Sequence, residues 1–241
     1  MMASDEKRAP GERNSSLSES TGGWWPHRLL ERALGAAGTS WERVALLATT
    51  QHGVAAHWQL NTLGISPSAV CRACVAGHLH RLHRGVYAVG HRSIGPRGSQ
   101  MAAVLACSPD AWAIRLSATD IHGVRIDGER LVEVGVQRDS RLAHAGISVH
   151  RLAGLTPADI TVRQGIPVTS LARTLLDIAP LVGEGGIREA LSQAHRSRIL
   201  DRDDIAALIE RSSGFRGVGI LRAATAELRG AGLTSLSLIH I

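Results

Sequence analysis

Residues His78 to Gly90 read HLHRLHRGVYAVG, and how this run is read decides the fold. It carries three histidines, two arginines and the chain's only tyrosine, in two β-prone pieces, Leu79–Leu82 and Val86–Val89, about a turn at His83–Gly85. Alternation on either side of a glycine-bearing turn is the pattern of a hairpin. Working upstream, WERVALLATTQHG has Ser40 as its candidate N-cap, Glu42 in the first turn, an apolar face through Val44, Leu47 and Ala48, and Gly53 as a stop. HWQLNTLG is a short second helix ending at Gly64. ISPSAVCRACVAG is a third, with Ser66 as N-cap, Pro67 at the first helical position and Gly77 closing it. Three helices followed by a hairpin is the order of a winged helix-turn-helix, here expected over residues 39–95. In that arrangement the last helix enters the major groove and the hairpin lies along the backbone.

Charge follows the same boundaries. The chain has 27 Lys and Arg against 21 Asp and Glu, and all but one of the basic residues are arginine, whose fork suits phosphate. From Arg43 to Pro109 there is no carboxylate, while Arg43, Arg72, Arg81, Arg84, Arg92 and Arg97 all fall within that window. On the third helix, Ser68, Arg72 and Ala76 face away from Val70, Ala73 and Cys74, a small surface able to approach a groove closely. Arg72 is then placed to read a guanine edge or hold a phosphate, and Arg81 and Arg84 to hold the backbone. His78, His80 and His83 are expected to add charge to that contact on acidification. The expected DNA-binding set is therefore Ser68, Arg72, Arg81, His83 and Arg84.

Two other chemistries compete for the same residues. Cys71, Cys74, His78, His80 and His83 have residue types and spacing that a tetrahedral zinc site uses. However, Cys74 falls on the core side of its helix and Cys71 about 60° around from it. Strand alternation sets His78 and His80 on the face opposite Leu79 and Arg81. No metal is expected. For catalysis, Asp127 and Glu133 are followed by Val134 and Gly135 and lack the lysine of metal-dependent nucleases. GFRGVG, residues 214–219, lacks the Gly-Lys-Ser/Thr ending of a phosphate loop. Arg173 and Asp177, four apart, are expected to form an ordinary surface or domain-interface ion pair. Neither an enzymatic activity nor a cofactor is expected.

The remainder organises around this unit. Residues 1–38 are expected to be a disordered or loosely docked tail, within which WWPHRLLERAL is either a short amphipathic helix or a docking patch. Residues 96–230 form a small α/β domain with a helical C-terminal part, so the fold class is α+β. In it, RGSQMAAVLACS and AIRLSATDIHGV read as helices, and LVEVGV and ISVHRL as strands joined by the basic loop QRDSRLAHAG. ITVRQGIPVTSLARTLLDIAP reads as strand, turn and helix, with Thr169 or Ser170 as the cap, and three further helical segments follow. Three cysteines and the lack of a charged-then-apolar leader indicate a reducing, cytoplasmic location. No apolar run approaches the roughly 18 residues needed to cross a bilayer, so no membrane role is expected.

LHRLHRGVYAVG, preceded by a short helix and followed by MAAVLACSP, resembles the N-terminal region of AbiEi-family antitoxins of type IV toxin–antitoxin systems, particularly actinobacterial members. GIPVTSLARTLLDIA is similar to a second segment of the same proteins, and the resemblance covers roughly residues 40–230. It implies a winged-helix domain that binds double-stranded operator DNA and represses its own promoter, and an α/β domain that neutralises a nucleotidyltransferase-like toxin. Similar chains continue into a domain resembling very-short-patch-repair endonucleases. Here the chain reads GLTSLSLIHI at its end, and residues 231–241 are expected to be a non-native or truncated tail. The alternatives are thus the non-catalytic targeting portion of a truncated endonuclease of that type, and a winged-helix protein-interaction module.

Overall fold

The hairpin forms, and it gains a third strand. In the computed structural model, which describes residues 25–127, 131–137, 144–152 and 154–231, the first part of the chain holds seven elements. They are helices α1 (Trp25–Leu34) and α2 (Ser40–Thr50), strand β1 (Val54–Ala56), helices α3 (His57–Thr62) and α4 (Pro67–Val75), and strands β2 (Leu79–His83) and β3 (Val86–Val89). β1, β3 and β2 make an antiparallel sheet in that order. β1 has three residues, all buried, too short a run for alternation to reveal. The N-cap of α2 is Thr39 rather than Ser40: its hydroxyl accepts from Glu42 N–H while the Glu42 carboxylate accepts from Thr39 N–H. That reciprocal box requires Glu three residues after the cap, and Thr39 satisfies the spacing where Ser40 does not. Ser66 caps α4 as expected, with Pro67 at its first position.

Part of the expected N-terminal tail is folded. α1 buries Leu30 and Ala33 against Val44 and Leu47 of α2, in a core that also takes Leu60, Val70 and Leu79. WWPHRLLERAL is thus a helix along most of its length; residues 1–24 and 232–241 lie outside the described residues.

The second part holds α5 (Pro96–Cys107), β4 (Ala111–Ala113), α6 (Arg115–His122), β5 (Val132–Val136), β6 (Ile147–Arg151), β7 (Ile160–Arg163) and β8 (Ile166–Thr169), then α7 (Leu171–Arg196), α8 (Arg202–Arg211) and α9 (Val218–Ala231). The strands form one five-stranded sheet ordered β6-β5-β4-β8-β7. β5 runs parallel to β6 and β4 parallel to β8, while the β4–β5 and β7–β8 pairs are antiparallel. The basic loop read between β5 and β6 falls mostly outside the described residues. The single strand read in ITVRQGIPVT is a hairpin, and Ser170, not Thr169, caps α7 by accepting from Arg173 N–H. Thr169 instead pairs its hydroxyl with that of Thr174 at 2.8 Å. α7 bends where Gly183 leaves helical geometry at φ 66°, three residues after Pro180. Beyond the bend it packs with α8 and α9 around Ile187, Leu191, Leu208 and Leu221. The protein is thus of mixed α+β class with two sheets.

α5 joins the two parts. A helix apolar on all sides is buried on all sides, and Met101 to Leu105 are all buried, with Cys107 beyond them. One core takes in Val54, Ala56 and Val86 of the three-stranded sheet together with Val134, Ile166 and Val168 of the five-stranded one. Arg97, in the first turn of α5, uses all three guanidinium nitrogens there: Nε donates to Gln164 Oε1 (2.7 Å), Nη1 to Gln100 Oε1 (2.9 Å) and Nη2 to Asp120 O (2.6 Å). His52 Nε2 donates to the Gln164 carbonyl at 2.7 Å, a second tie to the β7–β8 turn.

Candidate nucleic-acid interface

Between α4 and the hairpin lies an open groove of about 500 Å³. Pro67, Val70, Cys71 and Cys74 of α4 form one side, His80, Arg81 and Tyr87 of the hairpin the other, and Arg92 reaches in from beyond β3. Register explains which hairpin residues face it. Leu79 pairs with Val89 and Arg81 with Tyr87, and Leu79, Tyr87 and Val89 pack on the core beneath α4, so Arg81 extends the same face outward.

Of the five expected contacts, Arg81 lines the groove and Ser68, Arg72 and Arg84 are exposed on the elements that bound it. Ser68 is exposed in the first turn of α4, its hydroxyl 3.1 Å from that of Ser66. Arg72 is exposed one residue after the groove-lining Cys71, and Arg84 is exposed at the hairpin turn beside Gly85, whose φ of 75° suits a residue without a side chain. The fifth, His83, departs. The ladder slips between Arg81 and His83, so that His83 pairs with Val86, whose side chain packs into the core shared with α5. This bulge turns the His83 ring to that side, half-buried and edge-on to His144 at 6.0 Å. Burial, and then the His144 charge, hold its pKa below the usual imidazole value. His83 is thus half-buried against His144, whereas Arg81 and Arg84 are exposed.

The six arginines of the carboxylate-free window also divide. Arg97 is spent on the three bonds above, and Arg43 Nε donates to Ala36 O at 3.0 Å. Arg72, Arg81, Arg84 and Arg92 are all exposed. Arg92 was not among the expected contacts; its place two residues after Gly90, just past the second strand, was the available signal. Val75, at the end of α4, is 87% exposed, an unusual position for a valine.

Among the described residues no group of three or more His, Cys, Asp or Glu comes together as metal ligands. Cys71 is exposed and Cys74 half-buried, both as free thiols. Nor do the described residues include a helix long and apolar enough to cross a membrane. Arg173 and Asp177 are not a surface pair. Arg173 is buried, Nε 2.9 Å from Asp177 Oδ1 and Nη1 4.0 Å from Asp159 Oδ2, while Arg211 reaches Asp159 Oδ1 at 2.7 Å. Burial pushes the Asp177 carboxyl up against the opposing pull of Arg173. For Asp159, burial pushes up but is outweighed by the Thr156 N–H and hydroxyl and by Arg211, which hold it low. This network lies beside α7, far along the chain from the hairpin.

No family model matches the chain, and no curated protein matches it. Among solved structures, the crystal structure of the RV2827C protein from Mycobacterium tuberculosis is similar over 90% of this chain and 83% of that one, at 15% sequence identity and a TM-score of 0.45.

Proposed function

We propose that the protein is a DNA-binding antitoxin and transcriptional autorepressor of a type IV toxin–antitoxin system, its α2–β3 region acting as a winged helix-turn-helix on double-stranded operator DNA. The observation that carries this reading is the placement of the four exposed arginines. Arg81 and Arg92 line the groove, Arg72 stands on the helix that forms its other side, and Arg84 caps the hairpin, in a stretch without one carboxylate. Such a surface meets phosphate without internal competition. α4 enters the major groove, where Ser68 and Arg72 meet backbone or base edges and the exposed Val75 meets a thymine methyl. The hairpin, with Arg81 and Arg84, follows the backbone. The second part of the chain holds a nucleotidyltransferase-like toxin, and the protein acts in the cytoplasm.

A gel-shift titration against the DNA upstream of the gene tests this. The wild-type protein retards the fragment in preference to unrelated DNA. Arg72→Ala weakens specific binding by about 5- to 150-fold, the range for one lost base or charged contact. A protein that retards promoter and unrelated DNA equally, or not at all, overturns the reading.

A further inference from the structure

A second cleft, of about 440 Å³, opens between the end of β6, the start of α6 and the bend of α7. Its chemistry differs from that of the groove. Four arginines line it (Arg115, Arg151, Arg173 and Arg216) against one carboxylate, Asp177. Arg173 is spent on Asp177 and Asp159. Arg115 is 3.7 Å from Glu133, and its Nη1 donates to His150 Nδ1 at 3.3 Å. Glu133, however, also accepts from Leu116 N–H and lies 3.5 Å from His150 Nε2, so its charge is divided among three neighbours. Arg216 is exposed and makes no ion pair among the described residues. Arg216 is therefore a cation of the cleft that no carboxylate among the described residues answers.

Its walls are apolar in the same place. Leu181 is 53% exposed and Phe215 41% exposed, and both line it. The Arg173 guanidinium stacks 5.4 Å from the Phe215 ring centroid and so holds the ring in position. Backbone geometry fixes the wall itself. Gly217, at φ 98°, lies so close to the α7 bend that a Cβ there would sit 2.9 Å from Leu176 O and from Pro180 Cδ. The segment bearing Phe215 and Arg216 is thereby seated directly on that bend. Asp177 Oδ2, buried beneath the same cleft, has no hydrogen-bond partner among the described residues, a costly state that a ligand N–H would relieve.

We propose that this cleft binds a nucleoside phosphate, its phosphates held by Arg216 with Arg115 beside it and its base laid against Phe215 and Leu181. Arginine forks match phosphate oxygens, and a half-exposed aromatic ring beside an exposed leucine offers a planar base a surface to cover. The site is separate from the hairpin groove and does not depend on the DNA reading.

Calorimetric titration of the full chain with adenosine diphosphate tests it, with adenosine and inorganic phosphate as partial ligands. The diphosphate binds with a Kd below about 1 mM, and each partial ligand binds at least about tenfold more weakly. Arg216→Ala weakens the diphosphate about tenfold or more. Leu181→Glu, which sets a carboxylate at an exposed position of the wall, abolishes binding, and circular dichroism confirms that both variants are folded. The double variant Arg81→Ala/Arg84→Ala binds the diphosphate as the wild type does. No heat with millimolar diphosphate overturns the proposal, as does adenosine or phosphate binding as tightly as the diphosphate. Wild-type affinity in either cleft variant, or lost affinity in the hairpin variant, overturns it equally.

Discussion

Salt dependence gives the sharpest test of the interface, because the structure fixes how many charges are available for it. Arg43 and Arg97 are committed to carbonyl and amide oxygens of the protein, and His83 is half-buried against His144. Four exposed arginines remain: Arg72, Arg81, Arg84 and Arg92. If each displaces one condensed counterion, log K falls against log salt with a slope of about −0.9 × 4, near −3.6. Raising salt from about 50 to 200 mM then weakens binding about 150-fold (about 4 to the power 3.6). The double variant Arg81→Ala/Arg84→Ala leaves two contacts, a slope of about −1.8, and only about a 12-fold loss over the same range. Fluorescence anisotropy with a labelled promoter duplex measures both slopes directly. Arg202→Ala, which removes an exposed arginine on α8, serves as the control and leaves the slope unchanged. A double-variant slope within about half a unit of wild type, or an equal change in the control, refutes the hairpin as a backbone contact.

Replacing Arg97 by Met removes two hydrogen bonds that tie α5 to α6 and to the β7–β8 turn, and a third to Gln100 within α5; urea denaturation should show a loss of about 2 to 4 kcal/mol, and less than about 1 would mean these bonds are replaced by water. Gly217→Ala forces a side chain into a left-handed conformation against Pro180 and the Leu176 carbonyl; it should cost at least about 2 kcal/mol by the same assay. Acidification should destabilise the fold through His122 and His83. Burial, and secondarily the Arg163 and Arg97 charges, lower the pKa of His122 despite its bond to Thr169 O, and burial lowers that of His83. With folded values below the unfolded value of about 6.5, the unfolded chain takes up protons first, so stability is full above about pH 7 and falls as pH drops through and below 6.5. Melting temperature should drop between pH 7.5 and 5.5, and by less in His122→Gln; an identical drop in that variant would assign the effect elsewhere.

What could be read in the sequence was local. Ser66 and Pro67 announce the start of α4 because capping is decided within four residues. The two runs around Arg84–Gly85 announce the hairpin for the same reason. The places where reading failed depend on distant partners. β1 is a strand only because β3 passes beside it. A one-residue slip after Arg81 moved His83 to the far side of the sheet, and no period in HLHRLH marks a bulge. Arg97 looked like one more surface arginine because its partner Gln164 is 67 residues away. Arg173 and Asp177 had the spacing of a surface pair, and only the approach of Asp159 and Phe215 encloses them. The second cleft was invisible for that reason: β6, α7 and the segment around Phe215 converge on it from three separate parts of the chain.

The burial of α5 between both sheets has a consequence for how this protein can be divided and inherited. A fragment cut after residue 95 would leave Val54, Ala56 and Val86 facing water, along with Trp58 and Leu82 at the margin of the same core. The hairpin half is therefore no cassette to be grafted onto another scaffold. Anything that tightens the five-stranded half also stiffens the half that carries the four arginines, since Met101 to Leu105 belong equally to both. A recombination junction at the midpoint, where the charge pattern invites one, would cut through this shared core.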